Sequence, residues 1–363
     1  MIYMQELRVE LADRSYPIVL GGEMAAGLPK RLIDMFPDAR FALVTNTTLK
    51  DLYRDHLSSW KSQLQFVEHV MPDGEEYKSL ECWREILATL LTTRGLDRRS
   101  VVCAFGGGVV GDIAGFAAAS FLRGVNYVQI PTTLLAMVDS SVGGKTGVNH
   151  ASGKNRIGAF FQPRLVWADT EYLTTLQERE FLAGYAELFK YAFIGGEDMF
   201  AFVMSRHDAM LAREPEILTE GIRRSMQIKA RVVSQDEKES GMRALLNYGH
   251  TFGHSLERSF KYAGILHGEA VLWGMACACD LGKRAGTIPA EHISAYDAIC
   301  KIMPTVQLPA RPPVDELYQG MFTDKKTHGA TIRFVLPAQP GTSIITSDVA
   351  TEDVLATLEN ALA

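Results

Sequence analysis

The chain has 363 residues, of which 47% are hydrophobic and 22% are charged, and its formal net charge at pH 7 is −6. This is the composition of an ordinary globular protein, and the length exceeds what one core usually supports, so we expect two domains. The negative charge argues against a nucleic-acid-binding surface or a basic membrane-binding face, although local lysines can still bind an anionic substrate.

The cysteines and the N-terminus indicate a cytoplasmic protein. The cysteines are odd in number, form no CxxC pair and lie mostly in apolar runs, which predicts reduced, buried thiols. They are Cys82, Cys103, Cys277, Cys279 and Cys300. The first fifteen residues carry charges where a signal peptide needs an apolar run. Residues 264–281 are rich in apolar side chains, but His267, Glu269 and Asp280 argue against a transmembrane helix here.

Strand and helix patterns alternate over the first 170 residues. ELRVEL (6–11) alternates polar and apolar residues, as a strand with one solvated face does. The further strand segments are YPIVLGG, FALVTN, LQFVEHV, RSVVCAF, NYVQIP and LVWAD. Between them lie LPKRLIDMF, TLKDLYRDHLSSW and an amphipathic helix with Ser79 as its N-cap. The alternation predicts a mainly parallel α/β sheet.

The pattern changes near residue 175. Residues 178–322 show successive helical periods and almost no strand candidates. RFVLP and SIITS are either a short hairpin or isolated strands, and a last helix follows them. We therefore predict an N-terminal α/β domain over residues 1–175 and a mainly helical domain over residues 176–363.

A glycine motif follows one of the predicted strands. Gly106, Gly108 and Gly111 match GxGxxG between a strand and a helix rich in small residues, where backbone N–H groups can hold a pyrophosphate. The match is imperfect, because no acidic residue follows about 20 residues later to bind a ribose. The alternative is a tight packing turn, but the motif favours dinucleotide binding.

Three polar turns carry lysines. PDGEEYKS (72–79) either solvates the surface or approaches a nucleotide. In residues 130–149, Asp139 precedes Gly143, Gly144 and Lys145, a spacing that does not match the GxxxxGK[ST] phosphate loop. A lysine on a glycine turn nevertheless suits an anionic group. Residues 151–158 repeat the theme with Lys154 and Asn155.

Residues 242–261, read as one helix, carry a polar row. Arg243, Asn247, His250 and His254 recur at helical spacing and share one face. The opposite side carries leucines and a phenylalanine that indicate the packing side. Two histidines one turn apart are a common metal-binding arrangement. The plain alternative is an amphipathic surface helix with two solvated histidines.

Other polar residues stand on predicted helices. Glu187 and Lys190 share a face, which is equally typical of a surface ion pair. Lys229 falls in the buried stripe of a helix predicted over 214–238, where a lysine needs an anionic partner. HTFGH lacks the glutamate of the HExxH zinc proteases. The candidate metal ligands are Glu187, His250, His254 and His267, and three of them plus an open position would make a catalytic zinc site.

Eight stretches, in order along the chain, resemble the 3-dehydroquinate synthase family. They are PDGEEYKS, GGGVVGD, IPTTLLAMVDSSVGGKTGVN, GKNRIGAFFQP, GYAELFKY, DEKESGMRALLNYGHTFGH, LHGEAV and DKK (324–326). The resemblance implies an α/β, Rossmann-like nucleotide-binding domain, a mainly α-helical C-terminal domain and a homodimer. The negative net charge, for its part, predicts no nucleic-acid or membrane partner.

The resemblance also implies the activity. It is that of a lyase of the shikimate pathway of aromatic amino acid biosynthesis, dependent on NAD and on zinc or cobalt. The substrate is 3-deoxy-D-arabino-heptulosonate 7-phosphate, and the products are 3-dehydroquinate and phosphate. Transient oxidation at C5, β-elimination of phosphate, re-reduction and aldol cyclisation connect them. The alternatives are another sugar-phosphate cyclase of the inosose or valiolone type, a glycerol-dehydrogenase-like polyol dehydrogenase, or a catalytically inactive binding protein.

Carried over by motif, the resemblance implies three sets of site residues. The metal ligands are Glu187, His250 and His267, which moves His254 to the substrate. The NAD-binding residues are Asn46, Asp73, Gly74, Glu75, Glu76, Tyr77, Lys78, Ser79, Gly108, Val109, Val110, Gly111, Asp112, Thr132, Thr133, Lys145, Lys154, Tyr172, Leu173, Thr174 and Thr175. The catalytic and substrate-binding residues are Asp139, Lys145, Asn155, Lys190, Lys229, Arg243, Asn247, His254, Lys325 or Lys326, and Arg123 from the neighbouring subunit. Some family members have an acidic residue in place of Asn46, which leaves its part in ribose binding open.

Overall fold

A seven-stranded sheet organises the first part of the chain in the computed structural model, which describes residues 4–239, 241–322 and 331–363. Its strands are β1 (Gln5–Val9), β2 (Tyr16–Gly21), β3 (Phe41–Asn46), β4 (Val67–Met71), β5 (Val101–Gly106), β6 (Asn126–Pro131) and, after a separate hairpin of β7 (Lys145–His150) and β8 (Gly153–Phe160), β9 (Leu165–Asp169). The order is β1-β2-β9-β6-β5-β3-β4. Only β1 pairs antiparallel, with β2, so the predicted mainly parallel sheet is confirmed.

Helices cover both faces of this sheet. They are α1 (Leu28–Met35), α2 (Thr47–Leu52), α3 (Arg54–Leu64), α4 (Leu80–Thr92) and α5 (Gly108–Ser120). Leu43 belongs to the core on one face with Trp60, and Val44 belongs to the core on the other face with Ile86. Burial on both faces explains why β3 reads as a continuous apolar run. The Ser79 hydroxyl accepts a hydrogen bond from Cys82 N (3.2 Å), which confirms the predicted cap of α4.

The β7–β8 hairpin was not predicted. It pairs Lys145 with Phe160 in antiparallel register, in a segment that the sequence presents as glycine–lysine turns. The two strands approach closely, since a Cβ on Gly158 would lie 2.0 Å from the Thr146 carbonyl oxygen. The glycines here therefore serve strand packing, which their usual association with turns conceals.

The C-terminal part of the chain is mainly helical, as predicted. Its helices are α6 (Glu178–Ile194), α7 (Glu197–Leu211), α8 (Pro215–Gln235), α9 (His250–Ser259), α10 (His267–Arg284), α11 (Ile293–Ile302), α12 (Val314–Met321) and α13 (Thr351–Ala361). The antiparallel pair β10 (Phe334–Pro337) and β11 (Ser343–Thr346) is the hairpin alternative of the sequence reading. Two compact units divide the chain: Met1–Leu176 with Lys229–Ser234, and Gln177–Ile228 with Gln235–Ala363.

The prediction of one helix over residues 242–261 is wrong. A 3₁₀ segment, Met242–Asn247, is followed by a break at Tyr248 and Gly249, and α9 begins at His250. Gly249 has a φ of +78°. A Cβ on it would lie 2.9 Å from Met275 N, so the chain turns here to approach the backbone of α10. Helical spacing therefore does not relate Arg243 and Asn247 to the two histidines.

The structure tests the prediction of reduced, buried cysteines and the search for a membrane-spanning helix. All five cysteines are free thiols, and all except the partly exposed Cys300 are buried, as predicted. Across residues 4–239, 241–322 and 331–363, we find no helix with the length and apolar character needed to span a bilayer. The cytoplasmic location stays a prediction.

Candidate active site

The sheet order of the first unit reverses between β3 and β5. From β3 the chain runs outward to β4 at the sheet edge, and from β5 it runs the opposite way to β6. The carboxyl ends of two parallel strands that diverge in this way form a crevice, which is where open α/β sheets bind nucleotides. Asn46 ends β3 and Gly106 ends β5, so the predicted cofactor residues Asn46 and Gly108 flank this crevice.

The glycines after β5 have two roles: one allows close helix packing, and another leaves backbone N–H groups uncovered by a side chain. A Cβ on Gly111 would lie 2.6 Å from Gln129 Oε1, so this glycine allows α5 to pack on β6. Gly107 is the N-cap of α5 and has no side chain to cover the N–H groups of the first turn. Thr132 N donates to Gly106 O (3.1 Å), which brings Thr132 and Thr133 to the same loop. The packing alternative explains Gly111, and the half-buried N-terminus of α5 still fits an anionic group.

A buried lysine links three predicted site segments. Lys78 is 6% exposed, and its Nζ lies 2.5 Å from Asp112 Oδ2 and 2.7 Å from Asn155 Oδ1. Burial lowers the pKa of Lys78, but the carboxylates of Asp112 and Glu75 outweigh it and hold the pKa above its ordinary value. The 73–79 turn, α5 and the β7–β8 hairpin are thereby fastened together by one charged group.

The Asn46 side-chain amide forms two hydrogen bonds, one through its oxygen and one through its nitrogen. Its Oδ1 accepts from Leu49 N (2.9 Å) and caps α2, and its Nδ2 donates to Asp73 Oδ1 (2.6 Å). Asn46 therefore holds a carboxylate at the carboxyl edge of the sheet, which the sequence motif alone does not reveal.

The remaining predicted residues of the first unit occupy varied positions. Tyr172 and Leu173 are buried, and Thr174 Oγ1 donates to Glu171 O (2.7 Å). Thr175 Oγ1 lies 2.5 Å from the Tyr53 hydroxyl. Lys145 is exposed at the start of β7, Lys154 is half-buried on β8, and Arg123 is exposed with a φ of +69°.

Lys229 has the anionic partner that its position required. It is 5% exposed, and its Nζ donates to the Asp139 carboxylate (2.7 Å to Oδ1) and also to the Asp139 carbonyl oxygen. Asp139 lies in a π-helical turn, Ala136–Ser140. The prediction of a buried, paired lysine is confirmed.

Three ligand atoms of the second unit face one point. Glu187 Oε1, from α6, lies 3.5 Å from His250 Nε2 on α9 and 3.6 Å from His267 Nε2 at the start of α10. Glu187 is fully buried, and within the described residues its Oε1 has no hydrogen-bond partner. A buried carboxylate oxygen without a donor is costly. Two imidazole nitrogens and one carboxylate oxygen are the donor set of catalytic zinc sites, so the residues fit a divalent metal ion.

The other ring nitrogen of each histidine is occupied. His250 Nδ1 lies 3.1 Å from Tyr248 O, and His267 Nδ1 lies 3.2 Å from Glu257 Oε2. Carbonyl and carboxylate oxygens only accept, so both Nδ1 atoms donate and both Nε2 atoms face Glu187. Glu257 was missed from sequence, although its position seven residues after His250 continues the row of His250 and His254 along α9.

Burial and charged neighbours shift the pKa values of the three cluster residues in different directions. Burial raises the pKa of Glu187, but the charges of Lys190 and the histidines outweigh it and hold the pKa well below its usual range. Burial lowers the pKa of His250 to about 3. Burial also lowers the pKa of His267, but Glu257 and Glu187 outweigh it and raise the pKa to about 10. The carboxylates thus favour the charged form of His267, whereas burial keeps His250 neutral, which is the form in which an imidazole binds a metal ion.

Lys190 and His254 lie beside the cluster. The Lys190 ammonium donates to Glu187 Oε2, and both side chains are buried, so the surface ion pair alternative is wrong. The His254 ring centroid lies 5.3 Å from that of His250 and 5.9 Å from that of His267. With Glu257 and His267, His254 forms a second group of neighbouring ligand atoms.

Arg243 and Asn247 are held by acidic residues before α9. Asn247 Nδ2 donates to Glu239 Oε1 (3.0 Å), and Arg243 N donates to Asp236 Oδ2 (3.0 Å). Asn247 and His250 line one pocket together with Arg333, which sequence reasoning did not single out. Lys325 and Lys326 lie outside the described residues.

An ion pair and a close backbone contact join α6, which carries Glu187, to the start of α10, which carries His267. Arg179, on α6, forms a two-pronged ion pair with Glu269 (2.6 and 2.8 Å), and Glu269 Oε2 also accepts from Leu266 N (2.7 Å). Gly268 lets the helices touch, because a Cβ on it would lie 2.0 Å from the Ala183 carbonyl oxygen. The spacing between Glu187 and His267 therefore depends on a backbone contact.

Gly268→Ala is expected to push the start of α10 away from α6. Overpacking of this kind costs about 1–3 kcal/mol, which lowers the melting temperature by several degrees. Because the substitution also moves His267, we expect it to weaken metal binding at the candidate site. Calorimetry and metal titration of the full chain measure both effects. Gly27→Ala is the matched control, because a Cβ there meets only Trp167, at 3.8 Å. Wild-type stability and metal affinity in Gly268→Ala would contradict the dependence of the spacing between α6 and α10 on this contact.

Comparison with known proteins decides the family. Residues 68–183 match the family model described as 3-dehydroquinate synthase N-terminal, and residues 184–327 match the one described as 3-dehydroquinate synthase C-terminal. A 3-dehydroquinate synthase of Saccharophagus degradans is 45% identical over 360 residues, covering 98% of each chain. The chain belongs to the 3-dehydroquinate synthase family. The resemblance noted in the sequence is thereby confirmed.

Two solved structures of sugar-phosphate cyclases are similar in fold. One is a 2-epi-5-epi-valiolone synthase from Streptomyces hygroscopicus with NAD⁺ and Zn²⁺ bound, at 27% identity and a TM-score of 0.86, covering 97% of this chain and 98% of that one. The other is a 2-deoxy-scyllo-inosose synthase with carbaglucose-6-phosphate, NAD⁺ and Co²⁺, at 26% identity and a TM-score of 0.88, covering 98% of this chain and 100% of that one. The predicted combination of an α/β part and a helical part is confirmed.

Proposed function

We propose that this chain catalyses the reaction of its family, the conversion of 3-deoxy-D-arabino-heptulosonate 7-phosphate to 3-dehydroquinate and phosphate. Family membership supports the reaction, and the observation that carries it to particular residues is the convergence of Glu187, His250 and His267 on one point. A carboxylate oxygen buried without a donor is otherwise unexplained.

Glu187, His250 and His267 would hold a divalent ion, Zn²⁺ or Co²⁺. The presence of these two ions in the similar cyclase structures supports this choice. Such an ion supplies Lewis acidity, which lowers the pKa of a bound hydroxyl group. The three residues fix the coordination geometry, and Lys190 neutralises the second oxygen of Glu187.

The first unit would hold NAD at the carboxyl edge of its sheet. The pyrophosphate would lie at the N-terminus of α5, on Gly108 to Asp112, beside Thr132 and Thr133. Asp73, held by Asn46, supplies the acidic group for the ribose that the motif lacks. NAD supplies reversible hydride transfer. The 73–79 turn, Lys145, Lys154 and residues 172–175 complete the proposed site.

The remaining polar residues would bind and orient the substrate. These are Asp139, Lys145, Asn155, Lys190, Lys229, Arg243, Asn247 and His254, with Lys325 or Lys326. The cationic groups bind the carboxylate and phosphate through charge-assisted hydrogen bonds. His254, whose ring lies beside both histidine ligands, takes up a hydroxyl proton of the substrate.

The homodimer and the division of labour belong to the same proposal. Residues 1–175 would bind NAD, and residues 176–363 would bind the metal and most of the substrate. The exposed Arg123, held at a φ of +69°, would reach the substrate phosphate of a neighbouring subunit.

Product stoichiometry tests the function. The full chain with NAD⁺ and Zn²⁺ or Co²⁺ is expected to release one phosphate for each 3-dehydroquinate formed, with no net accumulation of NADH. NADH accumulating with turnover would instead indicate a polyol dehydrogenase.

A hexose 6-phosphate tests the second candidate, because the inosose synthase structure contains carbaglucose-6-phosphate, a carbocyclic analogue of such a compound. Identity of 26% to that enzyme, against 45% to a 3-dehydroquinate synthase, makes this the less supported function. Turnover of the hexose phosphate in preference to the seven-carbon acid would overturn the proposal.

A further inference from the structure

Glu257 is a buried carboxylate beside the metal-ligand cluster that none of the roles above uses. It is 2% exposed on α9, and its Oε2 lies 3.2 Å from His267 Nδ1. A buried carboxylate is stable only when it is paired or hydrogen-bonded. Glu257 contacts Nδ1 of the His267 ring, whereas Glu187 lies near Nε2, so the two carboxylates are placed at different nitrogens of one imidazole.

We propose that Glu257 is a positioning residue that fixes His267 as an Nε2 ligand of the metal ion. This inference rests on the proposed metal site. By accepting a hydrogen bond from Nδ1–H, the carboxylate keeps a proton on Nδ1 and leaves Nε2, which lies 3.6 Å from Glu187 Oε1, as the ring atom that binds the metal ion. It also makes the imidazole a stronger donor to a cation.

The two histidine ligands differ in how they are held. His250 Nδ1 donates a hydrogen bond to the backbone carbonyl oxygen of Tyr248 (3.1 Å). A substitution of the Tyr248 side chain would leave this acceptor in place. His267 depends on a side chain, so its orientation is the part of the site that a single substitution can release. The ligand atoms of His254, Glu257 and His267 lie within 4.8 Å of one another. Without the Glu257 carboxylate, the His267 ring could therefore rotate and form a hydrogen bond with His254.

A purely structural role is the alternative. Glu257 lies on α9 and His267 on α10, and their contact could simply join the two helices. The two roles differ in what a substitution changes. A structural role lowers the stability of the metal-free protein and leaves the ligand geometry intact, whereas a positioning role lowers metal affinity and alters the ligand field.

Metal binding to the metal-free full chain separates these roles. The variants are Glu257→Gln, which keeps an oxygen acceptor, and Glu257→Ala, which keeps none. The control is Glu316→Gln, which removes one exposed carboxylate from α12 in the same unit. Zn²⁺ affinity is measured by competition with a chromophoric chelator, the ligand field by the visible absorption of bound Co²⁺, and stability by thermal unfolding without metal.

We expect Glu257→Ala to bind Zn²⁺ about 10- to 100-fold more weakly and to change the Co²⁺ spectrum. Glu257→Gln should lose less affinity than Glu257→Ala, and Glu316→Gln none. Wild-type Zn²⁺ affinity and an unchanged Co²⁺ spectrum in Glu257→Ala would overturn the positioning role while leaving the metal site standing. So would a loss of metal-free stability as its only effect. Failure of the wild-type chain to bind Zn²⁺ or Co²⁺ would overturn the metal site and this inference together.

Discussion

His250→Ala is expected to lose the bound divalent ion and turnover together. The substitution removes one of three candidate ligand atoms and leaves only His267 Nε2 near Glu187 Oε1. Loss of the Lewis acid removes several kcal/mol of transition-state stabilisation, so kcat should fall by about a thousandfold or more. Metal content by atomic emission and steady-state phosphate release measure the two effects on one preparation.

The control for this substitution is His292→Ala, which removes a histidine of the 3₁₀ segment Ala290–His292 that belongs to neither group of candidate ligand atoms among the described residues. It should retain the metal and full activity. If the His250→Ala protein kept wild-type turnover while containing no metal, the assignment of the ligand set would be wrong.

Lys229→Ala is expected to weaken substrate binding far more than NAD binding. Lys229 is the buried cation that holds Asp139, and a charge-assisted hydrogen bond to a substrate anion is worth about 1.5–3 kcal/mol. The KM for the sugar acid phosphate should therefore rise about 10- to 100-fold. Fluorescence titration with NAD⁺ should give a Kd close to that of the wild type.

The same helix offers a matched control in Arg231→Ala, since Arg231 is exposed on α8. This variant should leave both constants unchanged. Equal losses of substrate and NAD⁺ affinity in Lys229→Ala would show that the pair with Asp139 maintains the fold and does not place a substrate-binding cation.

Local sequence patterns predicted most of the fold. Strands β3 and β5 are continuous apolar runs because both faces of a parallel sheet are covered, and the glycine loop after β5 has its own signature. Lys229 stood out because a lysine in a buried stripe needs an anion, and Asp139 is that anion. Each of these features is determined by residues close together in sequence, or by the cost of burying a charge.

The features that spacing could not predict depend on contacts between distant segments. The break at Gly249 exists because the chain meets the backbone of α10, so an unbroken helical pattern concealed it. The contact between Gly268 and Ala183, which sets the distance from α6 to α10, is likewise invisible in a pattern.

The ligand set was left open among Glu187, His250, His254 and His267 by the residues alone. Spacing favoured the pair on α9, whereas the structure brings Glu187 Oε1 together with the Nε2 atoms of His250 and His267. Resemblance to the family had implied the same three residues. Their roles as ligands stay a proposal until metal binding is measured.

Phosphate release with and without a chelator tests the central claim most directly. The full chain, supplied with NAD⁺ and 3-deoxy-D-arabino-heptulosonate 7-phosphate, should stop releasing phosphate once the chelator has removed its metal. Added Zn²⁺ or Co²⁺ should restore the rate without net formation of NADH. An undiminished rate of phosphate release from fully metal-depleted protein would contradict the account.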